Sequence, residues 1–375
     1  MSGTKIRDIT RVLKTDEEIP IRTGVPKREG DENKKGILYP GFEIKVVEEW
    51  KGEEVNGNDL WYGDKNGDFY WSGWFEEREE KDLEFKAVDH AWDWWQTKYS
   101  IDQIWDQYNI RGEQVTIGIL DSGIWKGNVF ENCDIKERNY ITDNGNISDD
   151  TGHGTQVASI LAAYSNQMIG IIPKAKFIIC KTVNRDQKDP AVFEKALKEL
   201  KDEGADFVVM SYSFYRNKLP DTFEQTINSL DKTLLICSVG NLKIRHRTSN
   251  KYPASFDSTI AVGGANKKNK VHSESSKSDH IDVLAPSEDI KTVLPSNSQE
   301  LFKAQGTSFA TPIVAGVLGL MLSYCRSKGE EIEKTKLKEI LRSTADKPAQ
   351  ADPTLYGHGI INPLKAMEQL NNYLS

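Results

Sequence analysis

Cysteine is scarce: four in 375 residues (Cys133, Cys180, Cys237 and Cys325), with no CxxC pair among them. That spacing argues against a zinc knuckle and against a disulfide framework. Cys180 and Cys237 fall in the apolar runs "FIICKTV" and "LLICSVG", where buried thiols are expected rather than ligands. The opening stretch "MSGTKIRDITRVLKTDEE" lacks the apolar core of a secretory leader, so none is expected. No apolar run approaches the roughly 18 residues of a membrane span. An excess of positive charge is missing too: the net charge of -8 disfavours nonspecific binding to nucleic acid. The expectation is a cytoplasmic protein with neither membrane nor nucleic acid as partner. What is present, 38% hydrophobic and 28% charged residues, is the make-up of a soluble globular chain, and its length suffices for more than one core.

The first 75 or so residues read differently from the rest. Short strand-like runs, "EIPIRT", "FEIKVVEEW", "DLWYG" and "DFYWSGWF", are broken by Gly, Pro and Asn. "KNGD" between two of them is a hairpin signal, because Asn-Gly supplies the positive φ values of a type I′ turn. Trp50, Trp61, Trp71 and Trp74 crowd into this region and are expected as core and rim packing of a small all-β barrel. "DKNGD" lacks the further acidic positions of a calcium loop, so a turn is the better reading. The pattern resembles a bacterial SH3-like domain, with "IRTG" opening the barrel and "GWF" closing it. The charged "EEREEKDLEF" reads as a linker or a solvated helix.

Beyond it, apolar strand runs alternate with helical patterns: "VTIGILD", "KFIICKTV", "DFVVMSYS", "LLICSVG", "TIAVGG" and "IDVLAP" against "GTQVASILAAYS" and "PAVFEKALKELKDEG". That alternation predicts an α/β domain with a mainly parallel sheet flanked by helices. The expected organisation is a β-barrel module over 1–78, a linker over 79–89 and an α/β domain over 90–375.

Three polar residues stand at junctions of this pattern. Asp121 ends a strand in "IGILDSGI", His153 opens a helix in "GHGTQVAS", and Ser308 opens another in "QGTSFATP", just before the core-like "IVAGVLGLML". A serine hydroxyl is a poor nucleophile near neutral pH and needs a base within hydrogen-bond reach. Histidine can take that proton and return it to a leaving group. A buried carboxylate fixes the imidazole tautomer and stabilises the imidazolium. Amides at the helix start after Gly306 can face an oxyanion. Singly, each residue has a plainer reading as a turn, cap or surface group; together, in this order, chance explains them poorly.

"LDSGI", "GHGTQVASI", "SVGN", "YPASFDSTIAVGG" and "GTSFATPIVAGVLGL" resemble the subtilisin-like serine proteases. The order Asp, His, Ser is the one that family uses, and the resemblance runs over roughly residues 90 to 370, ending at "YGHGIINPLKAM". It implies Asp121, His153 and Ser308 as a catalytic triad and Asn241 as an oxyanion-hole amide beside the Ser308 N–H. It implies Ser211, Tyr212 and Ser213 as a strand that pairs with substrate and walls the pocket for the residue before the cleaved bond (P1). Gly240 is implied to border that pocket. The family usually has glycine where Ser213 stands and often methionine where Phe309 stands.

The same resemblance places Lys251, at the end of the basic loop "KIRHRTSNK", on the pocket floor, where it would complement an acidic P1 residue. A solvated surface loop is the other reading. The implied activity is serine endopeptidase, with protein or peptide substrates, no cofactor for the chemistry, and structural calcium left open. The alternatives are a scaffold in which the SH3-like module binds a partner beside an inactive protease fold, and a wall-targeted enzyme, which the missing leader disfavours.

Overall fold

Runs rich in Trp, Tyr, Val and Ile in the front part pair edge to edge, as residues suited to a pleated surface do. The computed structural model describes residues 4–14, 19–23, 34–38, 43–55, 57–64, 68–72, 91–142, 147–241, 250–295 and 301–375. The chain divides into two units, Met1–Val88 and Asp89–Ser375. In the first, β1 (Thr4–Lys14), β2 (Ile19–Thr23), β3 (Lys34–Leu38), β4 (Glu43–Val55), β5 (Asn58–Asp64) and β6 (Asp68–Trp71) form a six-stranded sheet in the order β1-β4-β5-β6-β2-β3. Every pairing is antiparallel.

Its core gathers Val55, Trp61, Phe69 and Trp71, with Trp50 packed against them. The buried indoles keep their donors paired: Trp61 Nε1 donates to the Glu53 carbonyl at 2.9 Å and Trp71 Nε1 to that of Asn58 at 3.0 Å. β5 and β6 flank the expected hairpin turn, whose residues 65–67 lie outside the described residues, as do Trp74, "GWF" and the expected linker. Asp64 is committed locally, accepting from the Asp68 N–H at 3.0 Å and the Tyr70 hydroxyl at 3.1 Å.

The second unit runs α1 (Trp94–Lys98), α2 (Ile101–Tyr108), β7 (Thr116–Asp121), β8 (Asp134–Asn139), α3 (His153–Ala162), β9 (Lys176–Lys181) and α4 (Pro190–Asp202). It continues with β10 (Phe207–Met210), α5 (Asp221–Asn228), β11 (Leu234–Ser238), β12 (Ile260–Ala265), β13 (Val283–Pro286), β14 (Ile290–Val293) and β15 (Leu301–Ala304). Four helices close it: α6 (Thr307–Ser327), α7 (Lys334–Ser343), α8 (Pro353–Tyr356) and α9 (Pro363–Leu374).

Seven strands make one parallel sheet, β13-β12-β11-β10-β7-β9-β8. Its central strands are covered on both faces, which is why they read as unbroken apolar runs. β8, "DIKERN", is a half-buried edge strand. Its polar sequence hid it from the pattern, and so did the shortness of the β14–β15 hairpin. After β7 the chain places β9 on one side and β10 on the other. The strand order therefore reverses at β7, and in such sheets ligand sites form beyond the carboxyl ends of the strands at that point.

α6 packs on β10, β11, β12, β13 and α3. By length and composition it could cross a membrane, a span the sequence reading did not find; with 94% of its apolar window buried, it is a core helix.

Candidate active site

β7 is apolar up to its final residue, and Asp121, which ends it, is fully buried, 0% exposed. α3 begins at His153, whose Nδ1 lies 2.8 Å from Oδ1 and 3.0 Å from Oδ2 of Asp121. So close a start needs glycine next door: a Cβ on Gly154 would run into the Gly123 carbonyl. Burial pulls the imidazolium's pKa down, but the charge and hydrogen bond of Asp121, with Asp149 behind it, outweigh burial and set it above the ordinary 6.5. The Tyr212 ring stands edge-on at 5.1 Å from the imidazole, and the Phe309 ring lies 5.7 Å from it.

Ser308 is the second residue of α6, whose start is shaped by two groups outside the helix. Asn241 Oδ1 accepts from both the N–H and the hydroxyl of Thr307, each at 2.9 Å. That fixes which end of the amide is oxygen and leaves the Nδ2 donors on the other side. Gly306, at φ +123°, makes the approach; a Cβ there would come within 2.9 Å of Asn241 Nδ2. Pro312 has no N–H to give the Ser308 carbonyl four residues earlier. The Ser211 hydroxyl donates to that carbonyl instead, at 2.8 Å, while the Ser308 hydroxyl donates to the Ser211 carbonyl at 3.3 Å.

The implied pocket residues also converge, although not all face one space. Lys251 Cγ, Ser213 Oγ and Ser276 Oγ lie 3.6, 3.7 and 3.5 Å from where a Cβ on Gly240 would stand. Phe214 and Tyr252 exchange backbone hydrogen bonds of 2.7 and 3.0 Å, which draw Lys251 against the 211–215 segment. Lys251 is buried, 9% exposed, and its Nζ lies 3.1 Å from the centre of the Tyr215 ring. It is therefore no free surface lysine. Arg245, His246 and Arg247 of its loop lie outside the described residues. Tyr212 turns its side chain onto His153; burial first, then the charges of Asp121 and Asp149, push its phenol pKa far up.

The sequence reading missed Asp149, which is buried, 9% exposed, and ties the site together. Its Oδ1 accepts from the Ser122 hydroxyl at 2.8 Å and the Gly152 N–H at 2.8 Å. Its Oδ2 accepts from the N–H and hydroxyl of Thr155 at 2.8 and 2.7 Å. A carboxylate just ahead of an apolar helix is a capping signal, and "SDDTGHGT" carried it. All four cysteines are free and buried. Burial pushes the Cys180 thiol to about 12, which leaves it inert. Among the described residues no group of three or more His, Cys, Asp or Glu converges on a metal position.

The model of the subtilase family matches residues 112–359. The major intracellular serine protease of Bacillus subtilis (strain 168) is 28% identical over 271 residues, which cover 67% of this chain and 82% of that one. Thermitase of Thermoactinomyces vulgaris is 28% identical over 283 residues, 72% of this chain and 94% of the relative. The solved structure of a prenylagaramide maturation protease superposes with a TM-score of 0.63 at 25% identity, covering 72% of this chain and 98% of that one. A lanthipeptide protease (TM-score 0.65, 22% identity, 74% and 94% covered) bears on the fold alone. The chain belongs to the subtilase family and is a subtilisin-like serine endopeptidase.

Proposed function

We propose that Asp121, His153 and Ser308 act as the catalytic triad and that Asn241 Nδ2, with the Ser308 N–H, binds the oxyanion. The observation that carries this reading is the contact of His153 Nδ1 with both oxygens of buried Asp121. That contact commits Nδ1 as donor and leaves Nε2 as the base. The Ser308 hydroxyl leaves the Ser211 carbonyl and gives its proton to Nε2 as Oγ attacks the scissile carbonyl. The carbonyl's electron pair becomes the oxyanion, held by donors already fixed at the start of α6. Collapse expels the amine, which takes the proton from His153 and leaves an acyl-enzyme. Water then repeats the sequence and releases the acid. No step draws on a cofactor.

Lys251 recognises an acidic P1 side chain. Its stem borders Gly240 beside Ser213, and the cation is held by a π face rather than cancelled by a carboxylate. The antiparallel sheet of the first unit supports an SH3-like module over 1–78 that binds a partner or recruits substrate, joined by a linker over 79–89 to a protease domain over 90–375. A cytoplasmic location is supported by relatives named as intracellular proteases and by four free thiols. Peptide or protein is the substrate, and neither membrane nor nucleic acid is a partner.

The test is labelling with a peptidyl phosphonate, read by intact mass. One adduct, mapped to Ser308 and lost in Ser308→Ala, is the expected result. A full-length chain that stays unlabelled and cleaves no peptide would leave the scaffold reading in its place.

A further inference from the structure

We propose that Lys188 and Lys251 form a bipartite cationic site flanking the Ser211–Tyr212–Ser213 segment, which reads a second carboxylate on the N-terminal side of the cleaved bond besides the one at P1. This deepens the reading above and rests on it. Lys188 belongs to the loop between β9 and α4, where it bridges Val183 in antiparallel fashion. Its Nζ donates to the Ser213 carbonyl at 2.6 Å and lies 5.2 and 4.8 Å from the ring centres of Tyr212 and Phe214. Lys251 reaches the same segment at its neighbours, with its stem near Ser213 and its ammonium on the Tyr215 ring.

Lys188 meets the rings of Tyr212 and Phe214, and Lys251 meets that of Tyr215, so the two ammoniums address different residues of the segment and can take separate substrate carboxylates. All the groups that hold them are neutral: a carbonyl and three aromatic rings. Such groups orient a cation without cancelling its charge. Asp189, beside Lys188 in sequence, is turned away to accept from the Ala191 N–H at 2.9 Å as the cap of α4. Among the described residues no carboxylate pairs with either ammonium.

Lys188 as a residue is exposed, so a substrate can reach it, while its ammonium end is tucked against the rings. Burial of that end, and then repulsion from Lys251, hold its pKa below the ordinary lysine value. In a chain of net charge -8, two uncancelled cations beside one segment invite an anion from outside. Two carboxylates of an acidic peptide relieve the repulsion and gain charge-assisted hydrogen bonds.

The experiment measures kcat/KM of the full-length chain on peptides with Glu at P1 and either Glu or its neutral isostere Gln at P2, P3 or P4 in turn. At one position the Glu peptide should win by about tenfold, the worth of one charge-assisted pair. The preference should fall toward one in Lys188→Met, be kept in Lys188→Arg, and shrink as salt rises. Lys251→Met should instead erase the Glu-over-Gln preference at P1 while the second position keeps its own. Peptides cut with no Glu preference at P2, P3 or P4, or with one that Lys188→Met leaves untouched, overturn this proposal but not the triad. Absence of any cleavage, with no phosphonate adduct, overturns both.

Discussion

Ser211 and Ser308 hold each other through a reciprocal pair of hydrogen bonds, hydroxyl to carbonyl in both directions, at 2.8 and 3.3 Å. The shorter uses a carbonyl that Pro312 cannot serve; the longer and weaker restrains the Ser308 hydroxyl. Removing the Ser308 hydroxyl therefore costs the fold only that weaker bond, about 0.5–1.5 kcal/mol. Ser308→Ala should melt within a few degrees of wild type, yet lose about 10⁶-fold in kcat, a figure taken over from subtilisin. Wild-type turnover in purified Ser308→Ala would end the proposed mechanism.

Asn241 does two things at once, holding Thr307 through its oxygen and offering its amide outward. Asn241→Ala should lower kcat by about 10² to 10³, again by analogy with subtilisin, with KM little changed. Asn241→Asp keeps the acceptor for Thr307 but removes the donor, so it should be as slow while melting like wild type. If Asn241→Asp is as fast as wild type, the amide is a structural cap and nothing more.

The pH profile follows from His153. Only the neutral imidazole accepts the Ser308 proton, so kcat/KM should rise with pH to a plateau, with a midpoint above 6.5. Asp121→Asn should move that midpoint down and cost about 10⁴-fold in kcat. Stability has the opposite sign. A pKa raised in the folded state means that His153 stabilises the fold below its unfolded value of about 6.5, and that this contribution fades as pH climbs through the folded value. A rate flat from pH 5 to 8, with chemistry limiting, would count against the histidine base.

Asp149 should matter to both fold and rate. Asp149→Ala would strand buried donors on Gly152 and Thr155, at about 1–3 kcal/mol for each left unpaired, while the Ser122 hydroxyl keeps Asp121 Oδ1 at 3.2 Å as an acceptor. A Tm lower by roughly 6 °C or more is expected, since each kcal/mol shifts a unit of this size by about 2–4 °C. An unchanged melting curve would show that the helix start carries its own cap.

Lys251→Ala tests the P1 reading by itself. Matched peptides with Asp, Glu, Phe, Leu or Lys at P1 should rank the acids first in wild type and lose that order in the variant. A wild type that prefers Phe or Leu would reduce Lys251 to a wall of the pocket.

Local chemistry wrote much of this protein into its sequence. Asp121 ends an apolar strand, and His153 and Ser308 each open an apolar helix; period, turn residues and chain order are all short-range signals. The parallel sheet was legible for the same reason, because strands covered on both faces must be apolar throughout. β8 was not, since an edge strand is free to be polar. Asp149 carried a capping signal, but only the crossing of β7 and α3 turned that cap into support for Asp121 and His153. The carbonyl that Pro312 leaves open was readable in principle. That Ser211, 97 residues away, would fill it depended on β10 ending beside α6. Lys188 is one charge in a charged loop, and nothing nearby in sequence marks it. Its place beside the Ser213 carbonyl was decided by how the loop between β9 and α4 meets the 211–215 segment, because charge recognition depends on distance in space and not along the chain.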